Sequence, residues 1–389
     1  MPMGILGLCP LCNGILRPEY SDEAICTLAH MQPGRGIDRY RATLPISTSL
    51  PFLGEGNTPL IPSRRIGAAL GLKQLYFKNE GLNPTGSFKD RAASLAVALA
   101  LEAGAKGVLT ASSGNASSAI AAYSAAVGLP CVVLMEPGNP PAKLRQTLAA
   151  GAKVLRVEGI FSHGPEALRD CILAVAARVT YYPAFVWAPI NPYILEGIKT
   201  ISYEIAGALM PEVVIAPVGG GDMLTAQWRG WLELQRAGVL DGLPRMIGVQ
   251  SLSAPPLLEA FKNGADHVAT LAYASSKISG INVAFTGDHA LAAVRQSGGS
   301  VVGVSDDDIL AMQRCLALEE GMWVEPASAA PVAALSHLLE QGVIHADERI
   351  VCILSGAGFK DARLAADEAQ ATQEQETVAF NEDIVVARI

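Results

Sequence analysis

Short apolar runs alternate with alanine-rich helical stretches through the middle of the chain, from residue 51 to residue 368. A helical or glycine-rich segment follows each of the clearest runs. Continuous apolar strands followed by helices at this spacing are typical of parallel sheets that helices cover on both faces. The pattern predicts strands at 106–111, 130–136, 153–159, 213–218 and 349–355.

This alternation predicts an α/β fold with two doubly wound domains, each built on a mostly parallel sheet. Two such sheets would place a ligand cleft between the domains, outside the carboxyl ends of the strands. The predicted units are a small irregular N-terminal module at 1–50, zinc-ribbon-like or degenerate, a large domain formed by 51–90 and 196–368, a small domain at 91–195, and a polar C-terminal tail at 369–389.

The composition limits the function further. The chain has 389 residues, a formal net charge of −8 and 17% charged residues, as a compact enzyme does and a disordered chain does not. The negative charge, without a long run of Lys or Arg, argues against nucleic acid or an anionic membrane as a partner. No apolar stretch of about 18 residues or more indicates a membrane span, and the start of the chain lacks the basic flank of a secretory signal. We therefore expect a cytoplasmic protein.

The segment from Pro84 to Arg91, PTGSFKDR, is the most distinctive local motif. Pro84 and Gly86 indicate a turn, and Ser87 is a candidate N-cap for the alanine-rich helix that follows. Lys89 would then lie in the first helical turn, where the helix dipole disfavours a positive charge. A lysine that loses its proton easily suits a Schiff base. The alternative is a solvated surface lysine.

A serine-rich turn follows the strand predicted at 106–111. Ser112, Ser113 and Gly114 precede a helix, and their hydroxyl and backbone N–H groups would form a cradle for a carboxylate. Asn115 could hydrogen-bond an aromatic hydroxyl in the cleft. The alternative is an ordinary capped turn between a strand and a helix.

Three glycines, Gly219 to Gly221, follow the strand predicted at 213–218 and precede a helix. Their N–H groups can converge on one phosphate, and the helix dipole favours that anion. Neither nucleotide phosphate-loop pattern is met here, so the sequence indicates a plain phosphate group. Ser355, at the end of the last predicted strand, could direct its hydroxyl into the same cleft or could cap a helix.

Together with other segments, these motifs are similar to the threonine synthase family of fold-type-II pyridoxal-phosphate (PLP) enzymes. The similar segments are RYRATLP (39–45), LGEGNTPL (53–60), LNPTGSFKDRA (82–92), ASSGN (111–115), NPYILEGIKT (191–200), PVGGGDM (217–223), EGMWVEPASAA (320–330) and LSGAGFKD (354–361). The resemblance implies a fold similar to that of tryptophan synthase β, and a homodimer. It also implies a lyase or synthase of amino-acid metabolism, of the carbon–oxygen lyase class, with a small amino acid as substrate.

The resemblance also implies roles for single residues. Lys89 would carry PLP as a Schiff base and remove the Cα proton, and Phe88 would pack beside the ring. Asn115 would bind the PLP hydroxyl, and Ser355 would face the pyridine nitrogen. A neutral hydroxyl at that nitrogen favours elimination and replacement over transamination. The cofactor's phosphate would be held by Gly219, Gly220, Gly221, Asp222 and Met223, and the substrate's carboxylate by Ser112, Ser113, Gly114 and Ala116.

Three positions depart from the family's pattern. Threonine synthases read N-S-x-N-P-x-R before the phosphate loop, and the first Asn and the Arg grip the substrate's phosphate. Ala188 and Ile194 replace those two residues here, and Ala116 replaces the family's Thr after the cradle asparagine. Loss of an arginine–phosphate pair removes a strong charge-assisted contact, so we expect a substrate less charged than O-phosphohomoserine. Lys277 is a candidate anion ligand on the substrate side, or else a surface lysine.

The N-terminal module contains Cys9, Cys12, Cys26 and His30, spaced C-x₂-C-x₁₃-C-x₃-H. This set could complete a tetrahedral Cys₃His site for a structural zinc ion. Related enzymes often carry decayed versions of this module, so a module without zinc is the alternative.

The leading hypothesis is PLP-dependent elimination or replacement at Cβ or Cγ of a small amino acid. One alternative is threonine synthase proper, which converts O-phosphohomoserine to threonine and phosphate. Another is a serine/threonine dehydratase-type ammonia-lyase, although Ala116 stands where such enzymes usually have a histidine. A PLP-binding regulator or inert paralogue is disfavoured because Lys89, Asn115 and Ser355 are intact. A nucleotide-binding doubly wound protein is disfavoured because neither nucleotide pattern is met.

Overall fold

The structure is a computed structural model that describes residues 6–30, 34–112, 114–137 and 141–361. The tail expected at 369–389 lies outside the described residues. Within them, ten strands form two sheets. The strands are β1 Leu60–Pro62, β2 Gln74–Asn79, β3 Val108–Ala111, β4 Cys131–Met135, β5 Lys153–Arg156, β6 Tyr182–Pro183, β7 Val213–Pro217, β8 Arg245–Ser251, β9 Ser300–Val304 and β10 Arg349–Leu354.

The larger sheet has six strands in the order β1-β2-β10-β7-β8-β9. Strand β1 runs antiparallel to β2, and the other neighbouring pairs are parallel. In the register of the central strands, Ile350 lies opposite Leu75 on one side and Val213 on the other. The smaller sheet has four parallel strands in the order β5-β4-β3-β6. The exact domain boundaries stay a prediction.

Helices separate most of the strands. None of those in the described part of the chain is both long and apolar enough to cross a membrane. The α-helices are α1 Asp22–Cys26, α2 Ile66–Ala69, α3 Lys89–Glu102, α4 Asn115–Ala126, α5 Pro141–Ala149, α6 Gly164–Val179, α7 Ile194–Ile198, α8 Thr200–Ala206, α9 Asp222–Arg236, α10 Pro256–Lys262, α11 Asp288–Gln296, α12 Asp306–Glu320, α13 Pro326–Ala333 and α14 Leu335–Glu340. Four 3₁₀-helices lie at Thr27–His30, Gly36–Thr43, Glu80–Leu82 and Gly358–Asp361.

The predicted α/β fold class is confirmed, and the five predicted strands correspond to β3, β4, β5, β7 and β10. Strand β7 shows why such a run is apolar throughout, because all of its residues are buried. Val214 and Ala216 pack in one core with side chains of α9, and Val213 and Ile215 pack in a second core with side chains of α13. The two sets alternate along the strand, so helices cover both faces of the sheet.

Helix α3 is packed closely because its residues are small. Ala92, Ala93 and Ala96 are fully buried. Helix α7 approaches so near that a Cβ at Gly197 would lie 2.2 Å from the carbonyl oxygen of Arg91. This packing fixes the helix that begins at Lys89.

The predicted zinc site is wrong. Cys9 and Cys12 lie in one tight turn near residue 10, whereas Cys26 ends α1 and His30 ends the following 3₁₀-helix. Among the described residues, no group of three or more His, Cys, Asp or Glu side chains is placed to hold a metal ion. The physical reason is the packing of α1, which buries Ile25 and leaves Cys26 exposed to solvent.

The N-terminal segment is attached to the rest of the protein by polar contacts. The hydroxyl of Tyr20 donates to Glu196 Oε2 at 2.9 Å, and Arg236 Nη2 donates to Asp22 Oδ1 at 2.5 Å. Helix α1 also contacts α9. The segment therefore docks on the outer helices and not at the strand ends.

A buried ion network joins the start of α3 to β2 and α8. Arg91 Nε donates to Glu80 Oε2 at 2.7 Å, and Arg91 Nη1 donates to Glu204 Oε1 at 2.6 Å. Lys78 Nζ donates to Glu204 Oε2 at 2.6 Å. These four side chains are at most 4% exposed. Burial alone would raise the pKa of Glu204, but Arg91 and Lys78 lower it to about 2. The network is therefore fully charged at neutral pH.

Replacement of Arg91 by Met should lower the free energy of unfolding by about 3–5 kcal/mol, because it leaves buried carboxylates without their main partner. Urea denaturation of the cofactor-free protein, followed by tryptophan fluorescence, measures the change. The matched control is Arg65→Met, because the Arg65–Glu319 pair is exposed and such pairs contribute about 1 kcal/mol or less. Equal losses in the two variants would contradict a stabilising role for the network.

Candidate active site

A cavity of about 1090 Å³ opens at the carboxyl ends of strands from both sheets. Its wall contains Ala111 at the end of β3, Pro217 at the end of β7 and Ser355 directly after β10. This is the predicted cleft, in the place where α/β proteins bind ligands. The wall also contains most of the predicted site residues: Phe88, Lys89, Ser112, Gly114, Asn115, Ala116, Gly219, Gly220, Gly221, Asp222, Met223 and Ser355. Ser113 lies outside the described residues.

The loop before Lys89 is hydrogen-bonded to the chain that follows β10. Ser87 and Gly356 form an antiparallel bridge, and Phe88 N donates to Ser355 O at 3.0 Å. Residues far apart in sequence are thereby fixed on one side of the cavity.

Helix α3 begins at Lys89, so the prediction that this residue lies in the first helical turn is confirmed. The prediction that Ser87 is the N-cap is wrong, because Phe88 occupies that position. Ser87 is held instead in the bridge to Gly356, and its Oγ lies 3.4 Å from Lys89 N.

The surroundings of Lys89 favour the neutral amine. The side chain is half-buried, and Nζ lies 4.5 Å from the centroid of the Phe88 ring. Burial lowers the pKa of Lys89, and the carboxylates of Asp222 and Glu325 partly oppose this effect. The nucleophilic form of the amine is therefore more populated at neutral pH than in an ordinary lysine.

Glu325 is a residue that the sequence reasoning missed. Asn115 Nδ2 donates to its Oε2 at 2.8 Å, and Ser355 Oγ donates to its Oε1 at 2.8 Å. Burial raises the pKa of Glu325, although both hydrogen bonds lower it. One carboxyl group thus links two predicted cofactor ligands. The one available signal was its place in the segment EGMWVEPASAA at 320–330.

The glycine loop between β7 and α9 presents unused hydrogen-bond donors. Among the described residues, no protein group accepts from the N–H groups of Gly219, Gly220 or Gly221. The indole Nε1 of Trp187 is a buried donor that also lacks an acceptor in the described protein. It lies 3.6 Å from the place of a Cβ on Gly220. Free donors at a helix N-terminus form a site for an anion of phosphate size.

Asp222 contributes to this loop through its backbone only. Its carboxylate accepts from Ala188 N at 2.8 Å and lies 3.6 Å from His289 Nε2. The side chain is thereby occupied by the protein itself. This arrangement reconciles an acidic residue with a site for an anion.

The serine-rich turn is capped from within. Ser112 Oγ accepts from Gly114 N at 3.2 Å, and Ser117 Oγ donates to Gly114 O at 2.8 Å. Helix α4 begins at Asn115. Because the first N–H groups of a helix lack intrahelical partners, those of Asn115 and Ala116 are available to a carboxylate. The turn can therefore be both capped and a cradle.

The three positions singled out for the substrate's phosphate differ in location from the cavity. Ala188 and Ile194 are fully buried in a hydrophobic core and do not line the cavity. Lys277 is 64% exposed and its Nζ lies 3.3 Å from Asp307 Oδ1. The prediction of Lys277 as an anion ligand is therefore wrong, and the alternative of a surface lysine is confirmed. Two cations that were not predicted, Arg145 and Lys360, do line the cavity.

Comparison with known proteins gives one family throughout. The family model for pyridoxal-phosphate dependent enzymes matches residues 51–356. A threonine synthase from Methanocaldococcus jannaschii is 40% identical over 90% of this chain and 88% of its own length. Another, from Methanosarcina acetivorans, is 38% identical over 93% of this chain and 90% of its own length. A third, from Synechocystis, is 40% identical over 88% and 87%.

Solved structures share the fold. Maize serine racemase has a TM-score of 0.70 and 21% identity, with 90% of this chain and 98% of that chain covered. The threonine deaminase of T.th. has a TM-score of 0.63 and 28% identity, with 77% and 92% covered. Both belong to the same architecture as the two sheets described above.

Replacement of Gly221 by Ala should weaken the binding of pyridoxal phosphate at least about 10-fold. Gly221 has a φ of +95°, and a Cβ there would lie 2.6 Å from Ala290 Cβ, so the loop must move. Absorbance titration of the cofactor-free protein measures the affinity. The matched control is Gly238→Ala, which has a φ of +69° but no atom within 4 Å of the added Cβ. If both variants bind the cofactor as wild type does, the loop is not its phosphate site.

Proposed function

Because the chain belongs to the threonine synthase family of pyridoxal-phosphate-dependent enzymes, we propose that it catalyses elimination or replacement at Cβ or Cγ of a small amino acid. One observation carries the proposal. A single cavity combines Lys89, whose pKa is lowered, with free N–H groups of a glycine loop and with the linked pair of Asn115 and Ser355.

The described residues fit the cofactor. Lys89 would hold it covalently through Nζ, Phe88 would lie beside its ring, and the backbone from Gly219 to Met223 would bind its phosphate. Asn115 would bind its hydroxyl, and Ser355 would face its pyridine nitrogen. When bound, pyridoxal phosphate delocalises the electron pair that remains at Cα after proton loss.

Lys89 Nζ is the proposed base that takes the proton from Cα. A base must be largely neutral at the working pH, and burial favours that form of Lys89. The carboxylates of Asp222 and Glu325 then stabilise the ammonium group that forms. The same surroundings therefore serve both protonation states of the amine in turn.

The serine-rich turn is the proposed anchor for the substrate's carboxylate. The N–H groups at the start of α4 and the hydroxyl of Ser112 would orient the amino acid with Cα towards Lys89. Ser113, Gly114 and Ala116 complete this proposed cradle.

Glu325 is proposed as a positioning residue. It accepts hydrogen bonds from both Asn115 and Ser355, so it would hold the two groups that contact opposite edges of the cofactor ring. The raised pKa of its buried carboxyl limits the negative charge close to the pyridine nitrogen.

Threonine synthase proper is a second candidate, and the identities of 38–40% to threonine synthases support it. Ala188 and Ile194 argue against an unchanged phosphate site. A dehydratase-type ammonia-lyase has weaker support, from the 28% identity to a threonine deaminase. We also propose a homodimer, a cytoplasmic location and the domain boundaries given above, all on the strength of the family resemblance.

Incubation of the holoenzyme with amino acids should identify the reaction. O-phosphohomoserine, serine, threonine, O-acetylserine and O-phosphoserine are tested in turn, with the visible spectrum, released phosphate, keto acid and new amino acid as readouts. We expect a spectral shift and release of the leaving group with at least one of them. Threonine with phosphate would establish threonine synthase proper, and keto acid with ammonia the dehydratase. Silence with every amino acid would contradict the proposal.

Replacement of Lys89 by Ala should remove the covalent link to the cofactor and lower kcat by at least about 1000-fold. Borohydride reduction of the wild-type holoenzyme, followed by peptide mass spectrometry, should find the cofactor on Lys89. The control is Lys106→Ala, an exposed lysine of the same region, which should retain both label and activity. A label at another lysine would refute the assignment.

Reconstitution of the cofactor-free protein should become faster as pH rises and level off below pH 10.5, the ordinary value for lysine. The sign follows from the lowered pKa of Lys89, because the neutral amine that attacks the aldehyde is already populated at lower pH. Stopped-flow absorbance measures the rate, with Nα-acetyl-lysine as the reference amine. A pH profile identical to that of the reference would show that burial does not act on Lys89.

A further inference from the structure

The rim of the cavity is mainly aromatic. Phe161, Tyr273 and Phe359 lie in its wall and remain partly exposed. Deeper in the wall, the rings of Trp187 and Phe285 pack with their centroids 4.8 Å apart. Aromatic walls exclude water, so a charge on this rim interacts more strongly with a ligand than it would in bulk solvent.

Most of the charged side chains in the wall are already engaged by the protein. Asp222 and Glu325 accept the hydrogen bonds described above. Lys360 Nζ donates to Thr85 O at 3.0 Å and to Gln146. Ser279 Oγ donates to Asp361 Oδ2 at 3.1 Å. Lys89 is proposed to hold the cofactor.

Arg145 differs from all of these. It lines the cavity from α5 and is exposed, and none of the described residues forms a hydrogen bond or an ion pair with its guanidinium. The adjacent Gln146 lies against the loop before Lys89, since its Nε2 donates to Thr85 O at 3.3 Å. Helix α5 therefore presents an uncommitted cation where it borders that loop.

The neighbouring Lys360 adds to the positive potential of this part of the rim. Two of its three donors are used by Thr85 and Gln146, and the third remains available. Burial lowers the pKa of Lys360 to about 8, so the ammonium form still prevails at pH 7. A guanidinium and an ammonium beside an apolar rim suit a phosphate or carboxylate, which Arg can bind through two parallel hydrogen bonds.

We infer that Arg145 is a specificity-determining residue, which binds an anionic group at the distal end of the amino-acid substrate's side chain. This inference rests on the proposed function and narrows its substrate class to amino acids whose leaving group or side-chain end is a phosphate or a carboxylate. It also revises the expectation of a less charged substrate, because the positive charge absent at Ala188 and Ile194 is supplied from α5.

Calorimetric titration of the holoenzyme tests the inference without turnover. The probe is the phosphonate analogue of O-phosphohomoserine, in which a methylene group replaces the ester oxygen, and the neutral reference is norvaline. Arg145→Ala should weaken binding of the phosphonate by about 10- to 100-fold and leave norvaline binding unchanged. Arg145→Lys should restore part of the loss, since it keeps the charge but not the paired donors.

The matched control is Arg178→Ala, which removes an exposed arginine of α6 that does not line the cavity and should bind both ligands as wild type does. Unchanged norvaline affinity in Arg145→Ala also shows that the variant is folded. Equal affinity of Arg145→Ala and wild type for the phosphonate would overturn the inference. So would a loss seen only for inorganic phosphate added to the norvaline complex, because the anion would then belong to an incoming nucleophile.

The two proposals fail in different ways. If no amino acid shifts the visible spectrum of the wild-type holoenzyme, the proposed function fails. If norvaline shifts the spectrum but the phosphonate binds no more tightly than norvaline to wild type, only the role of Arg145 fails.

Discussion

The cavity depends on the hydrogen bonds that join the loop before Lys89 to the chain after β10. The bridge between Ser87 and Gly356 fixes the lysine and the hydroxyl of Ser355 relative to each other, although they come from opposite ends of the described chain. On the other side, Arg91 fixes the first turn of α3 through buried carboxylates. Lys89 is thus held from both directions by contacts that do not involve its own side chain. Its amine remains free for chemistry on a rigid backbone.

The polar interior of the cavity is balanced in charge. Lys89 faces two carboxylates, those of Asp222 and Glu325, and each carboxylate is stabilised by its own donors. Buried charges are costly unless they are paired or hydrogen-bonded, and these contacts meet that condition before any ligand enters. The glycine loop is the exception, since its donors have no acceptor in the described protein. An anion completes the site, and this is why the loop and Lys89 together indicate a phosphate-bearing cofactor with a reactive carbonyl.

The sequence predicted those parts of the site that depend on local pattern. Lys89, Asn115 and Ser355 each follow a turn or strand end that can be recognised in the chain, so their meeting in one cavity followed from the parallel sheets. Glu325 and Arg145 could not be found in this way, because neither lies at a recognisable turn and both matter only through distant partners. The zinc prediction failed for the same reason. The spacing of Cys9, Cys12, Cys26 and His30 allows a site, but the packing of α1 against α9 decides that the side chains do not meet. Ser87 shows the limit at the level of one residue, because a tertiary bridge displaced a local capping preference.

Strand β2 pairs with β10, the last strand of the larger sheet, and this pairing is possible only after nearly all of the described chain has been synthesised. Until then, the ribosome-bound chain carries an apolar strand with one unpaired edge, which is the kind of surface on which chains aggregate. The four strands of the smaller sheet follow one another within residues 108–183, so their pairing can be completed during translation. The nascent chain therefore spends most of its synthesis with one sheet formed and the other waiting for its centre, and during that period β2 is a natural binding segment for chaperones.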